Sequence, residues 1–219
     1  MPWLAALLTI LAAYFVGAIP FGYLVARLRG VNIFEHGSGN IGATNVGRVL
    51  GRPLGIFVFA LDFAKGAGPV ALAMLLKPSF DDDLWQRGYV EVAAGLTAFL
   101  GHLFPVFFKF KGGKGVATAL GILIAINVWL GIATFSTWLI VVFFFRYSSL
   151  AAIVASVFAP VYFFFLFGIK AALPAVVLMS ALLVWRHREN ITKLMAGTES
   201  RLGQKKPTVE TISAEASKT

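Results

Sequence analysis

Apolar residues in this chain run in long blocks with few charges instead of alternating with polar ones. The blocks are Trp3–Ala26, Leu54–Leu76, Val90–Phe108, Val116–Phe145, Leu150–Phe167 and Ala171–Trp185. A helix needs about 20 apolar residues to cross a bilayer, with a range near 17–25, so each block is read as membrane-spanning helix. The Val116–Phe145 block is too long for one. As a single helix it would be about 45 Å long against a hydrocarbon core of about 30 Å.

The basic residues between blocks set the count. Arg27, Arg29, Arg48 and Arg52 mark one loop as cytoplasmic, and Lys109, Lys111 and Lys114 mark another. The segment 77–89 carries Lys77 and Arg87 against Asp81, Asp82 and Asp83, so it is read as external. The C-terminal segment holds Arg186, Arg188, Lys193, Arg201, Lys205, Lys206 and Lys218 and belongs inside. Going from Lys114 to Arg186 with both ends inside takes an even number of crossings, so Val116–Phe145 is split near Asn127–Gly131. The expectation is an all-α polytopic membrane bundle of seven transmembrane helices, N-terminus outside and C-terminus cytoplasmic. Of the 19 Lys and Arg, 15 then lie inside. One membrane-integral domain over 1–203 is expected, followed by a polar, disordered cytoplasmic tail over 204–219. The first block has no basic region before it and is read as a retained span, not a signal peptide.

Composition agrees. The chain of 219 residues is 58% hydrophobic and only 13% charged, against about a quarter charged in soluble domains. No cysteine is present, which removes a disulfide framework, a thiolate metal site and a cysteine nucleophile. A net charge of +9 would suggest nucleic acid in a soluble protein. In a membrane protein it reads as topology first and anionic substrates or lipid headgroups second, with no nucleic-acid partner and no metal or other cofactor expected.

Candidate chemistry gathers in three inside segments. The first is His36-Gly-Ser-Gly-Asn-Ile-Gly-Ala-Thr-Asn-Val-Gly-Arg48. Glycines let backbone N–H groups converge on an anion; Ser38, Asn40, Thr44 and Asn45 add donors, and Arg48 can grip a phosphate with two parallel bonds. The competing reading is a tight turn between helices. A dinucleotide fingerprint over Gly37, Gly39 and Gly42 is rejected because no strand precedes it. The second segment is Gly101-His-Leu-Phe-Pro-Val-Phe-Phe-Lys-Phe-Lys-Gly-Gly-Lys-Gly-Val-Ala-Thr118. Its lysines could be simple cytoplasmic anchors, but anchoring does not require glycines on both sides of Lys114. In the third, Trp185 to Glu199, His187 and Asn190 are three apart and share a helix face, whereas the bland reading is a basic interfacial flank. Asp62 and Lys65 are also three apart within a span. A salt bridge facing the bundle is favoured over substrate contact, since each lone charge at mid-bilayer costs at least about 2.5–3.5 kcal/mol. The runs Phe143–Phe145 and Phe163–Phe165 are assigned to lipid or packing.

The strings GSGNIGATNVGR, GHLFPVFFKFKGGKGVAT and HRENITKLMAGTE resemble the three motifs of the bacterial acyl-phosphate:glycerol-3-phosphate acyltransferases, and Leu61-Asp-Phe-Ala-Lys-Gly66 and Arg146-Tyr-x-Ser-Leu150 match as well. The resemblance runs from Trp3 to about Arg201. It implies a seven-helix enzyme of the bacterial inner membrane, with its motifs on the cytoplasmic side, that moves a fatty acyl group from acyl phosphate to the 1-hydroxyl of glycerol 3-phosphate, releasing lysophosphatidic acid and phosphate. Carried over by motif, Ser38, Asn40, Thr44, Asn45, Arg48, Lys111 and Lys114 hold phosphate, and His187 and Asn190 lie beside the reacting carbonyl, with Ser149 nearby. Where family members often carry a second serine, this chain has Ala152.

The expected mechanism is direct transfer. Lys114 and Arg48 neutralise phosphate charge, Asn190 donates to the oxyanion, and His187 orients or deprotonates the hydroxyl, with a substrate phosphate oxygen as the alternative base. The His-x-x-x-x-Asp motif of the other large acyltransferase class is missing: positions 41, 107 and 192 are Ile, Phe and Thr. The expected partners are glycerol 3-phosphate, a long-chain acyl phosphate, membrane lipids and a peripheral enzyme that supplies the acyl phosphate. The acyl chain is expected in a groove open to the bilayer. The alternative is a transporter of a phosphorylated metabolite, which would place its site near mid-membrane on broken helices. A third reading, a lipid-binding scaffold, leaves the three glycine-basic segments unexplained.

Overall fold

The computed structural model describes residues 1–204; the expected tail lies, but for Gln204, outside the described residues. All regular structure in them is helical. The chain runs through α1 (Pro2–Gly17), α2 (Phe21–Leu28), α3 (Ala43–Leu50), α4 (Arg52–Leu76), α5 (Asp83–Gln86), α6 (Tyr89–Leu103), α7 (Val116–Ile126), α8 (Val128–Phe145), α9 (Ser148–Phe167), α10 (Ala172–Arg186) and α11 (Arg188–Met195). Five stretches are long and apolar enough to cross a membrane: Pro2–Leu28, Arg52–Ser79, Tyr89–Phe108, Val128–Phe145 and Ser148–Phe167. Two apolar helices, α7 and α10, are shorter.

Breaks in these elements have local causes. The first apolar block is two helices, because Pro20 has no N–H to continue the ladder of α1. The last block before the second basic loop stops at Leu103, short of the expected Phe108. Pro105 drives Phe104 to φ −131°, out of helical range, and Val106–Phe108 becomes a separate 3-10 turn. The 30-residue block divides at Asn127, as the charge pattern demands. There Asn127 turns extended, and its side chain accepts the N–H groups of Trp129 (3.0 Å) and Leu130 (3.2 Å), capping α8. The piece left before it, α7, has 11 residues, about 16 Å of rise and half the hydrocarbon depth.

Short α7 sits inside the bundle, packed on α4, α6 and α8, while α9 packs on both α8 and α10. Val70, Phe99, Leu103, Ala119, Ile122, Ala152, Met179 and Leu183 form one core across α4, α6, α7, α9 and α10. Phe143, Phe144 and Phe165 face outward, an arrangement favourable only against lipid.

The charges inside α4 are explained by the break between α1 and α2. The Lys65 ammonium forms an ion pair with Asp62 Oδ1 at 2.8 Å and donates to the Ile19 carbonyl at 2.7 Å. That carbonyl, past the end of α1, accepts only the short-range Phe21 N–H from the backbone (3.1 Å), and the ammonium supplies a second donor. The expected salt bridge is formed, with both residues buried. Asp62 also lines the cavity described below.

Candidate active site

The first loop is organised by Asn45, which is buried in the first turn of α3. Its Oδ1 accepts the Ser38 N–H at 2.8 Å, and its Nδ2 donates to the carbonyls of His36 (3.1 Å) and Asn40 (2.9 Å). Both donors are thereby used, so Asn45 shapes the loop and leaves its neighbours to meet a ligand. Gly37 has φ +64°, and a Cβ there would stand 2.2 Å from Asn45 Oδ1. Only glycine fits on both counts. Asn40 Oδ1 accepts the Gly42 N–H at 2.8 Å, turning the chain into α3. Thr44 and Arg48, one turn apart on α3, follow on the same side. The Thr44 hydroxyl lies 3.4 Å from that of Ser148, joining α3 to α9.

The second loop is clamped from two directions. Its Gly112 and Gly113 N–H groups donate to the carbonyls of Leu103 and His102, both at 3.1 Å. The carbonyls of the same two glycines accept from Arg186 Nη2 (2.5 Å) and Nε (3.1 Å). This fixes the peptide before Lys114. The Lys114 ammonium donates to Asn190 Oδ1. Burial lowers its pKa, and Glu199 and Glu189 oppose the shift.

His187 and Asn190 mark the bend between α10 and α11. His187 is 2% exposed, and its Nδ1 lies 2.8 Å from the Leu183 carbonyl. A carbonyl can only accept, so Nδ1 carries the proton and Nε2 is left bare. Asn190 Nδ2 donates to Glu199 Oε1 at 2.8 Å, and Ser149 Oγ donates to the same oxygen at 2.7 Å. One network therefore runs from Lys114 through Asn190 and Glu199 to Ser149. Glu199 is returned to α11 by a turn at Gly197 (φ +69°), with the Thr198 N–H on the Lys193 carbonyl.

Burial pushes the His187 pKa down to about 4, with the Leu183 carbonyl opposing and Lys114 adding to the shift. Its folded value thus lies below the ordinary 6.5. The unfolded chain binds the extra proton between these values, so the contribution to stability is complete above pH 6.5 and is lost as pH falls toward 4. The loss amounts to about 3 kcal/mol. Melting in detergent micelles from pH 7.5 to 4 is expected to show it, with a shallower decline in His187→Gln.

These groups surround one cavity of about 440 Å³, within the usual range for small-molecule sites. Its mouth is polar, lined by Ser38, Asn40, Thr44, Asn45, Arg48, Lys114, Ser149, His187 and Asn190. Its inner arm is apolar, with Ala119, Leu120, Leu123, Ala152, Ala155, Ala159, Val176, Met179 and Leu183. Lys111 is exposed and does not line the cavity. Lys193, Ser148 and Glu199 do line it, and sequence reasoning passed over all three. Glu199 had a signal, as the carboxylate closing a string otherwise read for His187 and Asn190. Arg186 is missed too, because in the sequence it reads only as a cytoplasmic charge. A cationic mouth opening on an apolar arm can seat an amphiphile with an anionic head.

Known proteins share this chain's sequence and fold. Residues 7–197 match the family model described as glycerol-3-phosphate acyltransferase. The chain is similar to the glycerol-3-phosphate acyltransferase of Ralstonia pickettii, 51% identical over 206 residues that cover 94% of this chain and 98% of that one. Similarity to the enzyme of the same description from Burkholderia pseudomallei is 50% over 206 residues, covering 92% and 98%. Its fold is like that of PlsY, an integral membrane glycerol 3-phosphate acyltransferase, in a crystal structure of the glycerol 3-phosphate form. The TM-score is 0.83 at 44% identity, covering 91% of this chain and 96% of that one. The lysophosphatidic acid form of PlsY gives a TM-score of 0.80. A helical multi-pass membrane protein with this match along nearly its whole length belongs to the glycerol-3-phosphate acyltransferase family.

Proposed function

We propose that this enzyme transfers a fatty acyl group from acyl phosphate to the 1-hydroxyl of glycerol 3-phosphate, directly and without an acyl-enzyme. The site would face the cytoplasm from the bacterial inner membrane, in a bundle of seven crossings with the N-terminus outside. The observation that carries this reading is the union of a cationic mouth and an apolar arm in one cavity. Glycerol 3-phosphate supplies an anion without a tail, and acyl phosphate an anion with one.

Arg48 and Lys114 neutralise phosphate charge at the mouth. The second Nδ2 hydrogen of Asn190, which Glu199 leaves unused, donates to the oxyanion that develops on the acyl carbonyl. The bare Nε2 of neutral His187 accepts the proton of the attacking hydroxyl. The new bond joins the glycerol oxygen to the acyl carbon. The bond between that carbon and the anhydride oxygen breaks, and phosphate leaves with the electron pair. Phosphate is a good leaving group, so the chemistry requires no enzyme nucleophile. Asn45 acts by shaping the first loop, and Ser149 by holding Glu199.

Purified protein supplied with palmitoyl phosphate and glycerol 3-phosphate should release phosphate and form lysophosphatidic acid in equal amounts. Turnover with palmitoyl-CoA in place of the acyl phosphate would overturn the donor assignment. Uptake of glycerol 3-phosphate into proteoliposomes without phosphate release would favour a transporter.

A further inference from the structure

We infer that Ala159 is the stop that limits acyl-chain length in this protein. The inference rests on the acyl-transfer reading above. It begins from how the apolar arm ends.

Along α9 the cavity is lined by Ser149, Ala152, Ala155, Ser156 and Ala159, a single helix face. The three alanines leave the lumen open. The next residue on that stripe is Phe163, which is 3% exposed and does not line the cavity. It packs instead into an apolar cluster with Leu123, Leu130, Ala159, Ala172 and Val176. Leu123, Ala159 and Val176 belong both to the cavity wall and to this cluster. They come from three helices and close the arm from three sides. An alanine-lined groove therefore runs into a packed floor.

The arm has a definite depth. From Ser149, in the Glu199 network, to Ala159 is about 15 Å of helix rise. Two of its hydroxyls are committed to backbone. Thr134 Oγ1 donates to the Leu130 carbonyl at 2.9 Å, and Ser156 Oγ to the Ile153 carbonyl at 2.8 Å. The rest of the wall is mostly apolar, with the Ser180 hydroxyl and the Trp138 indole the polar exceptions. At the floor the methyl of Ala159 stands with Leu123 and Val176 between the lumen and the Phe163 layer, so side-chain size at 159 sets the space for the end of the chain. Phe135, which lines the arm and is 36% exposed, marks the alternative route, sideways into lipid.

The test is the ratio of kcat/KM for hexadecanoyl phosphate to that for decanoyl phosphate. Each methylene left unburied weakens binding about fourfold. In Ala159→Phe the ratio should fall at least tenfold. Ala159→Val should lower it less, and Phe163→Ala, which opens the floor, should raise it. If the Phe variant does not fold, the other two decide. Ratios that stay within twofold of wild type in the folded variants would overturn the stop and send the chain out past Phe135. Failure of wild type to use acyl phosphate of any length would overturn the acyl-transfer reading, and the stop with it.

Discussion

Lys114→Met should lower kcat/KM about a thousandfold while leaving the fold intact. Removing one preorganised donor from a site of developing charge costs about 10²–10³ in rate. Lys114 does more than supply charge, because its ammonium also orients Asn190 through Oδ1. Without it, the Asn190 amide is anchored only by Glu199. Methionine keeps the length and fills the space. The variant sheds the desolvation penalty of a buried ammonium, which offsets the lost bond to Asn190, so Tm should shift by only a few degrees. Lys114→Arg should recover less than a tenth of the loss, since a planar fork cannot take the place of a point charge within a clamped loop. Steady-state phosphate release and a melting curve on the same samples check both halves. A kcat/KM within tenfold of wild type in Lys114→Met would remove the residue from the chemistry.

The second large effect concerns stability. Lys65→Met leaves the Asp62 carboxylate buried without its cation and takes one of two donors from the Ile19 carbonyl, which keeps the Phe21 N–H. Breaking a buried pair from one side costs about 3–5 kcal/mol. The double variant Asp62→Leu/Lys65→Met removes both charges and should recover most of that, because apolar replacement of a buried pair is often neutral. Recovery should stop about 1 kcal/mol short, the net worth of one hydrogen bond to the Ile19 carbonyl. Urea unfolding in micelles measures each step. Equal losses in single and double variants would mean that Lys65 acts through Ile19 alone.

Much of the fold is legible in the order of residues alone. Length and charge locate the helices, and parity places a break near Asn127, because membrane insertion imposes rules that act along the chain. The Leu103 terminus is legible in principle as well, since Pro105 acts on its immediate neighbour. Contact across the chain is not. Lys65 reaches a carbonyl 46 residues away, and Lys114 meets an amide 76 residues away. Glycine-rich loops reveal that an anion fits, but not which side chains will be consumed in building the loop. Asn45 and Lys111 illustrate this from opposite sides. One is committed to its own loop, and the other, three residues from Lys114, faces outward.

The clamp of Arg186 on Gly112 and Gly113 has a consequence for how such a protein can diverge. The guanidinium belongs to the segment that carries His187, and the carbonyls it holds belong to the segment that carries Lys114. The two segments are therefore one inherited unit, although some 70 residues separate them. A graft of either one alone from a distant relative would strand a half-buried guanidinium or two carbonyls. Variation in this molecule is freer in the helices that wrap the apolar arm, where an exchanged alkyl group alters the fit of the tail and leaves the joint between the two loops untouched.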